Sequence, residues 1–290
     1  IAQKSLASVN SKAKILALAK STMELNKEVK DQVPALFNQK TKSLIPHKSQ
    51  GVRLSSTSTP LEQMSDQELI QNFEFDLKVI DAELALWVGV SQLNDGAFLK
   101  GAYNLRRSWK AYESLLKTLE KEDAKAQDND PCVLVHHDIV QSVLFGVGMF
   151  YYLLSVLPPT VTKVLEFIGF KKNRSLGIEY LDYVASNRGL RSGSSIFMLS
   201  FNYLFVPTAL SDKHEQLARF KPHLDFVLEA YPQGALFLLS ASQFERKLGD
   251  YETAIVHLNT AIDVCQKMGA TPHSMDYELG QCYFVKQNFE

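Results

Sequence analysis

IVQSVLFGVGMFYYLLSVLPPTVT, running from Ile139 to Thr162, contains no charged residue, and Asp138 and Lys163 close it at either end. At about 24 residues it exceeds the roughly 18–20 apolar residues that read as a membrane span. Its details favour a protein interior. Gln141, Ser142 and Ser155 interrupt the apolar surface, and Pro158-Pro159 arrives before the run ends. Proline lacks an N–H donor and its ring clashes with the preceding turn, so the helix stops near Leu157. The run carries no aromatic belt and no basic cluster on one flank, the usual marks of a spanning helix. The reading is a buried helix over 139–157 whose residues Val143, Leu144, Val147, Tyr151 and Leu154 are nearly solvent-free. The alternative is a membrane-associated helix over the same residues.

Outward from this run, helical periodicity dominates. No stretch alternates with period two, and β-branched residues nowhere cluster between turn signals. Ser65-Asp66-Gln67-Glu68 has the form of a capping box. A helix follows through Leu69, Phe73, Leu77, Ile80, Leu84, Trp87 and Val88 to the stop at Asn94-Asp95-Gly96. The next runs from Phe98 to about Glu122, with Tyr103, Trp109, Tyr112, Leu116 and Leu119 on its apolar side, and 120–130 reads as an acidic connection. Beyond Pro159 come a short helix to Gly169, a basic turn at 171–174, a helix ended by Asn187-Arg188-Gly189, an apolar helix over 194–206, and a helix or pair over 212–230 with Pro222 as a kink or break. At the other end, 1–30 suits an amphipathic helix. Pro34, Pro46, Gly51, Pro60 and the Ser55–Thr59 run mark 31–64 as a flexible linker.

Near the C-terminus the helices repeat. From Ala235, small residues Ala241 and Ser242 fall where a first helix needs close packing. Gly249-Asp250-Tyr251 falls at the turn, and Ala254, Leu258 and Ala261 fall on the inner face of a second helix. Pro232 sits where a preceding unit would close, and Tyr277, Leu279, Gly280 and Tyr283 begin a further first helix. Small residues let paired helices approach and large ones fill the groove between pairs, which is the tetratricopeptide pattern of about 34 residues. The expected fold is all-α: helical hairpins stacked as a tetratricopeptide-type α-solenoid. Its parts are a helix over 1–30, the linker over 31–64, a helical repeat region over 65–230, and tetratricopeptide repeats over 231–290. The unfinished pattern at Glu290 and the start at Ile1 read as the ends of a fragment.

The segments Gly146-Val147-Gly148, Leu153 to Pro159, Val164 to Phe170, and Asn173 to Gly177 together resemble the core signature of the tetratricopeptide repeat protein 39 family, which includes fungal inclusion-body-clearance proteins. Gly148, Pro158, Pro159, Gly169, Phe170 and Gly177 carry it most clearly. Gly101 to Trp109 and Tyr231 to Leu239 are similar to flanking parts of the family pattern. The likeness runs from about Ser65 to the chain end. Ser242 departs from it, standing where the family usually has glycine. The resemblance implies a non-catalytic scaffold binding other proteins. It also implies a cytoplasmic setting with lipid-droplet, nuclear or membrane-peripheral pools, and links to lipid homeostasis or inclusion-body clearance.

Composition narrows the chemistry. The 290 residues suit one large domain or two small ones, and a net charge of −1 gives no bulk attraction to nucleic acid. The 3 cysteines, Cys132, Cys265 and Cys282, form no C-x-x-C pair and suit a reducing compartment. His136-His137-Asp138 invites a metal or acid–base reading, and with it a helical metal-dependent hydrolase. The other histidines supply no ligand spacing, so a polar helix start is preferred and no metal or cofactor is expected. Gly146-Val147-Gly148 lies inside a helix and is no nucleotide loop. Two basic clusters, Arg106, Arg107 and Lys110, then Lys171, Lys172 and Arg174, could contact an anionic lipid or acidic peptide, with solvated surface charge as the simpler reading. The first-helix positions Leu239, Ser240, Gln243, Tyr277, Glu278 and Gln281 make no cationic clamp for a terminal carboxylate.

Overall fold

The computed structural model describes residues 56–57, 64–128, 133, 135–157, 165–166, 169–205 and 213–287. The expected helix over 1–30, nearly all of 31–64, Cys132, Pro158, Pro159 and Pro207 lie outside the described residues. Two compact units divide the chain, Ile1–Tyr180 and Leu181–Glu290, a division inside the region that the sequence reading treated as one.

The first unit grows from Ser65. Its hydroxyl accepts from the Glu68 N–H at 3.3 Å, and the Glu68 carboxylate accepts from the Ser65 N–H at 2.8 Å. These bonds satisfy donors that a helix start otherwise leaves open. The Ser65 hydroxyl also donates to that carboxylate at 2.7 Å, and this bond first, with the backbone one, holds the Glu68 carboxyl below the usual carboxylate range. Helix α1 (Asp66–Asn94) turns through Gly96, at φ 77°, into α2 (Phe98–Gln127). Ser108 Oγ donates to the Ala82 carbonyl at 2.7 Å and Asn104 to Gln92 at 2.9 Å, which fixes the two helices antiparallel. Helix α2 continues past Glu122 through the expected acidic connection. Alanines at 124 and 126 favour helix, and Lys125 pairs with Glu122 at 2.7 Å.

Helix α3 (His137–Val156) is the uncharged run. It is long and apolar enough to cross a membrane, yet 14 of its 20 residues are buried within the unit. Val143, Leu144, Val147 and Leu154 are among them; Tyr151 is not. The buried ring is Tyr152, whereas Tyr151 lies at the margin, 5.4 Å from Trp109. The two helices also present residues to solvent that periodicity placed inward: Trp87 and Tyr103 are exposed. Before α3, a two-residue strand β1 (Ser56–Thr57) pairs in parallel with β2 (Val135–His136), a small addition to an otherwise all-α fold. Helix α4 (Arg174–Ser186) leads out of the unit.

The second unit contains α5 (Ser192–Ser200), which widens into a π-helical turn over Phe201–Phe205, then α6 (Lys213–Ala230). Pro222 lies inside α6 without breaking it, and Arg188 donates to its carbonyl at 3.2 Å. Tyr203 stacks on Phe220 at 5.4 Å, and Leu181, Ile196, Leu199 and Val227 complete the buried interior. Three further helices follow: α7 (Ala235–Leu248), α8 (Tyr251–Lys267) and α9 (His273–Gln287).

Candidate functional site

Helices α7 and α8 form a hairpin because of three local features. Pro232 sits in the turn that precedes α7. Gly249, at φ 92°, takes the left-handed position that ends α7. Asp250 then caps α8 by accepting from the Thr253 N–H at 3.0 Å and its hydroxyl at 2.7 Å, and these bonds pull its carboxyl below the ordinary range. Between the helices, Ala241, Ser242, Ala254, Leu258 and Ala261 are all buried. Tyr251 packs half-buried against the same cluster, which continues through Met275 and Cys282 of α9. Burial pushes the Cys282 thiol up, so it behaves as a packing group.

The first helices of the two successive units, α7 and α9, share a polar seam. Arg246 donates to Glu278, and at 2.9 Å to Gln281 Oε1. The sequence reading did not weigh Arg246, because its partners lie 32 and 35 residues away. Its charge is taken up by Glu278, so Arg246 is not a free cation. Gln243 Nε2 is buried without a hydrogen-bond partner. On the same two helices Leu236, Tyr277, Tyr283 and Phe284 are exposed.

The family-signature positions come together elsewhere, in the first unit. Gly169, at φ 91°, lies under the Arg106 guanidinium, and its carbonyl accepts from Trp109 Nε1 at 3.1 Å. Phe170 is buried against Trp109 and Phe150. Gly177 meets the backbone of Gly148 and Tyr152, where an added Cβ would sit 2.8 Å from the Tyr152 nitrogen.

This packing also joins the two basic clusters. Lys171 pairs with Glu113 at 2.9 Å, which raises the lysine and lowers the carboxyl. Lys172 pairs with Glu166 at 2.9 Å, and Arg107 faces Asp81 at 3.8 Å. Arg174 is exposed, as is Lys110, which has no ion pair among the described residues.

His136-His137-Asp138 places three potential metal donors within 4.8 Å of one another. The geometry is that of a helix cap. His136 Nδ1 accepts from the Asp138 N–H at 3.4 Å, while Asn72 Oδ1 accepts from the His136 N–H at 2.6 Å. Burial pushes the His136 imidazole down, against the pull of Asp138. The positive end of α3 opposes a cation there.

Sequence reasoning missed one cluster completely. Asp182 of α4 accepts at 3.1 Å from buried His223 and at 3.4 Å from Arg219, both of α6. The His223 hydrogen bond, outweighing the burial that opposes it, holds the Asp182 carboxyl below its usual value of 3.8. The depressed carboxyl contributes stability above that value, which is lost as pH falls through the lower folded value. Asp182→Asn should therefore flatten the acid side of the stability profile, read as urea midpoints by circular dichroism below about pH 4. A profile as steep as the parent's would refute this.

The family model described as Iml2/Tetratricopeptide repeat protein 39 matches residues 15–290. The chain belongs to that family. No solved structure matches it. The Iml2/Tetratricopeptide repeat protein 39 family has tetratricopeptide-like helical repeats, and the all-α hairpins of both units accord with that class. Such repeats generally mediate protein–protein interaction and are typically non-catalytic.

Proposed function

We propose that this protein is a non-catalytic scaffold or adaptor that binds other proteins through the face shared by α7 and α9. The observation that carries this is the pairing of Arg246 with Glu278 across two helices, the second of which also presents exposed Tyr277 and Phe284. An aromatic face whose Arg246 is paired suits uncharged or apolar peptide segments. It does not suit a terminal carboxylate, which needs a free cation. The wider setting also belongs to the proposal. Family resemblance supports cytoplasmic work linked to lipid droplets, lipid homeostasis or inclusion-body clearance, with no nucleic-acid partner.

The test is quantitative affinity purification of the full chain beside two variants. Tyr277→Ala/Phe284→Ala should lose captured partners by about tenfold or more, since exposed aromatic anchors dominate such interfaces. Val256→Ala, at an exposed site on α8, should keep them. Equal loss in both variants, or none in either, would contradict the assignment.

A further inference from the structure

The first unit has an end that its own packing leaves apolar. Trp87 is 63 % exposed, Phe98 69 %, Leu99 89 % and Tyr103 70 %. All four lie on the last two turns of α1 or the first two of α2, beside the hairpin turn. Helix α3 adds to the same end. It starts beside Asn72, low on α1, and its Gly146 lies against Tyr112, so it runs alongside α1 towards the turn. At 1.5 Å per residue its last turn comes level with Trp87. There Val156 and Leu157 are partly exposed as well.

From Lys100 to Lys110 α2 carries Lys100, Arg106, Arg107 and Lys110, and the facing stretch of α1 with the turn carries Asp81, Glu83 and Asp95. Arg106 is tucked over Gly169 and Arg107 faces Asp81, which leaves Lys100 and Lys110 exposed and outside any ion pair among the described residues. Exposed Trp, Tyr and Phe at a hairpin end, with exposed lysines on α2, match the chemistry of a bilayer interface. Aromatic rings sit at the headgroup level, leucines reach the acyl boundary, and lysines meet lipid phosphates.

We infer that the α1–α2 hairpin end docks on an anionic membrane surface, through Trp87, Phe98, Leu99 and Tyr103 with Lys100 and Lys110. The contact is peripheral, and α3 stays in the core. It is independent of the α7–α9 protein-binding face, and each can fail without the other.

The molecule carries its own reporter. It has 2 tryptophans, and Trp109 is 1 % exposed, so quenching by acrylamide reads Trp87. The full chain is mixed with vesicles of phosphatidylcholine and phosphatidylserine in equal parts, and with phosphatidylcholine alone. With the anionic vesicles the protein should co-sediment, and Trp87 should shift its emission to the blue and escape quenching. Phosphatidylcholine alone should bind more weakly. Leu99→Asp should cut binding by about tenfold or more while leaving the melting curve unchanged. Lys100→Glu/Lys110→Glu should abolish the preference for phosphatidylserine. Absence of co-sedimentation, or co-sedimentation indifferent to Leu99→Asp, overturns the inference. A Trp87 that vesicles leave quenchable also overturns it, and points to an acidic protein partner for this end.

Discussion

Replacing Trp109 with alanine should cost about 3–5 kcal/mol, the usual range for removing a fully buried aromatic ring. Trp109 is the hub of the first unit. Its ring lies 5.6 Å from Phe150, 5.4 Å from Tyr151 and 6.4 Å from Phe170. Its indole N–H donates to the Gly169 carbonyl, tying α2 to the turn that carries the family signature. Truncation removes the ring, strands that carbonyl and opens a cavity that α2, α3 and Phe170 cannot all collapse to fill. Trp109→Phe keeps much of the volume and should recover most of the loss, leaving about 1 kcal/mol for the hydrogen bond. Urea unfolding followed by circular dichroism measures both variants. A Trp109→Ala cost below about 1 kcal/mol would mean that this aromatic cluster is not the core of the unit.

Gly146→Ala makes a test in which two physical effects have opposite signs. Alanine is the better helix former by about 1 kcal/mol, so propensity alone predicts stabilisation. Packing predicts the reverse. A Cβ at Gly146 would lie 2.1 Å from a ring carbon of Tyr112. That ring is buried and sits 6.1 Å from Phe150. The expected net cost is about 2–3 kcal/mol. Tyr112→Leu, itself destabilising, should make the alanine much less harmful, so that the double variant falls well short of additivity. A stabilised Gly146→Ala would show that α2 and α3 do not approach as closely as the structure has them.

The readable parts of this fold are those whose causes are local. Ser65 and Glu68 lie three residues apart and announce a helix start. Gly249-Asp250 announces a turn and the next cap, and the apolar spacing over 69–88 announces a helix. Facing is less legible, because it depends on which neighbours a helix meets. Tyr151 and Tyr152 are adjacent and chemically identical, and it is the packing around α3 that encloses Tyr152 and leaves Tyr151 at the margin. Trp87 and Tyr103 satisfy an apolar period yet point outward, since α3 covers only part of the hairpin. The end of α2 was hidden by its acidic composition, which pairs of the Lys125–Glu122 kind render helical.

The candidate sites divide in the same way. The small residues of the α7–α8 hairpin could be placed from their spacing. The neutralisation of Arg246 by Glu278, and the Asp182–His223–Arg219 cluster, join residues 32 to 41 positions apart and leave no local trace. The two basic clusters looked like two surfaces in sequence. The structure brings them together through Trp109 and Gly169, and pairs three of their six cations, Lys171, Lys172 and Arg107, with Glu113, Glu166 and Asp81.

The first unit stands on the uncharged run being its interior. Amide hydrogen exchange along α3, on the full chain in detergent-free buffer, tests that most directly. Residues 139–154 should be among the slowest in the first unit, opening only with global unfolding of that unit. Exchange of these amides as fast as at the exposed hairpin turn, or recovery of the chain only in detergent, would contradict the account.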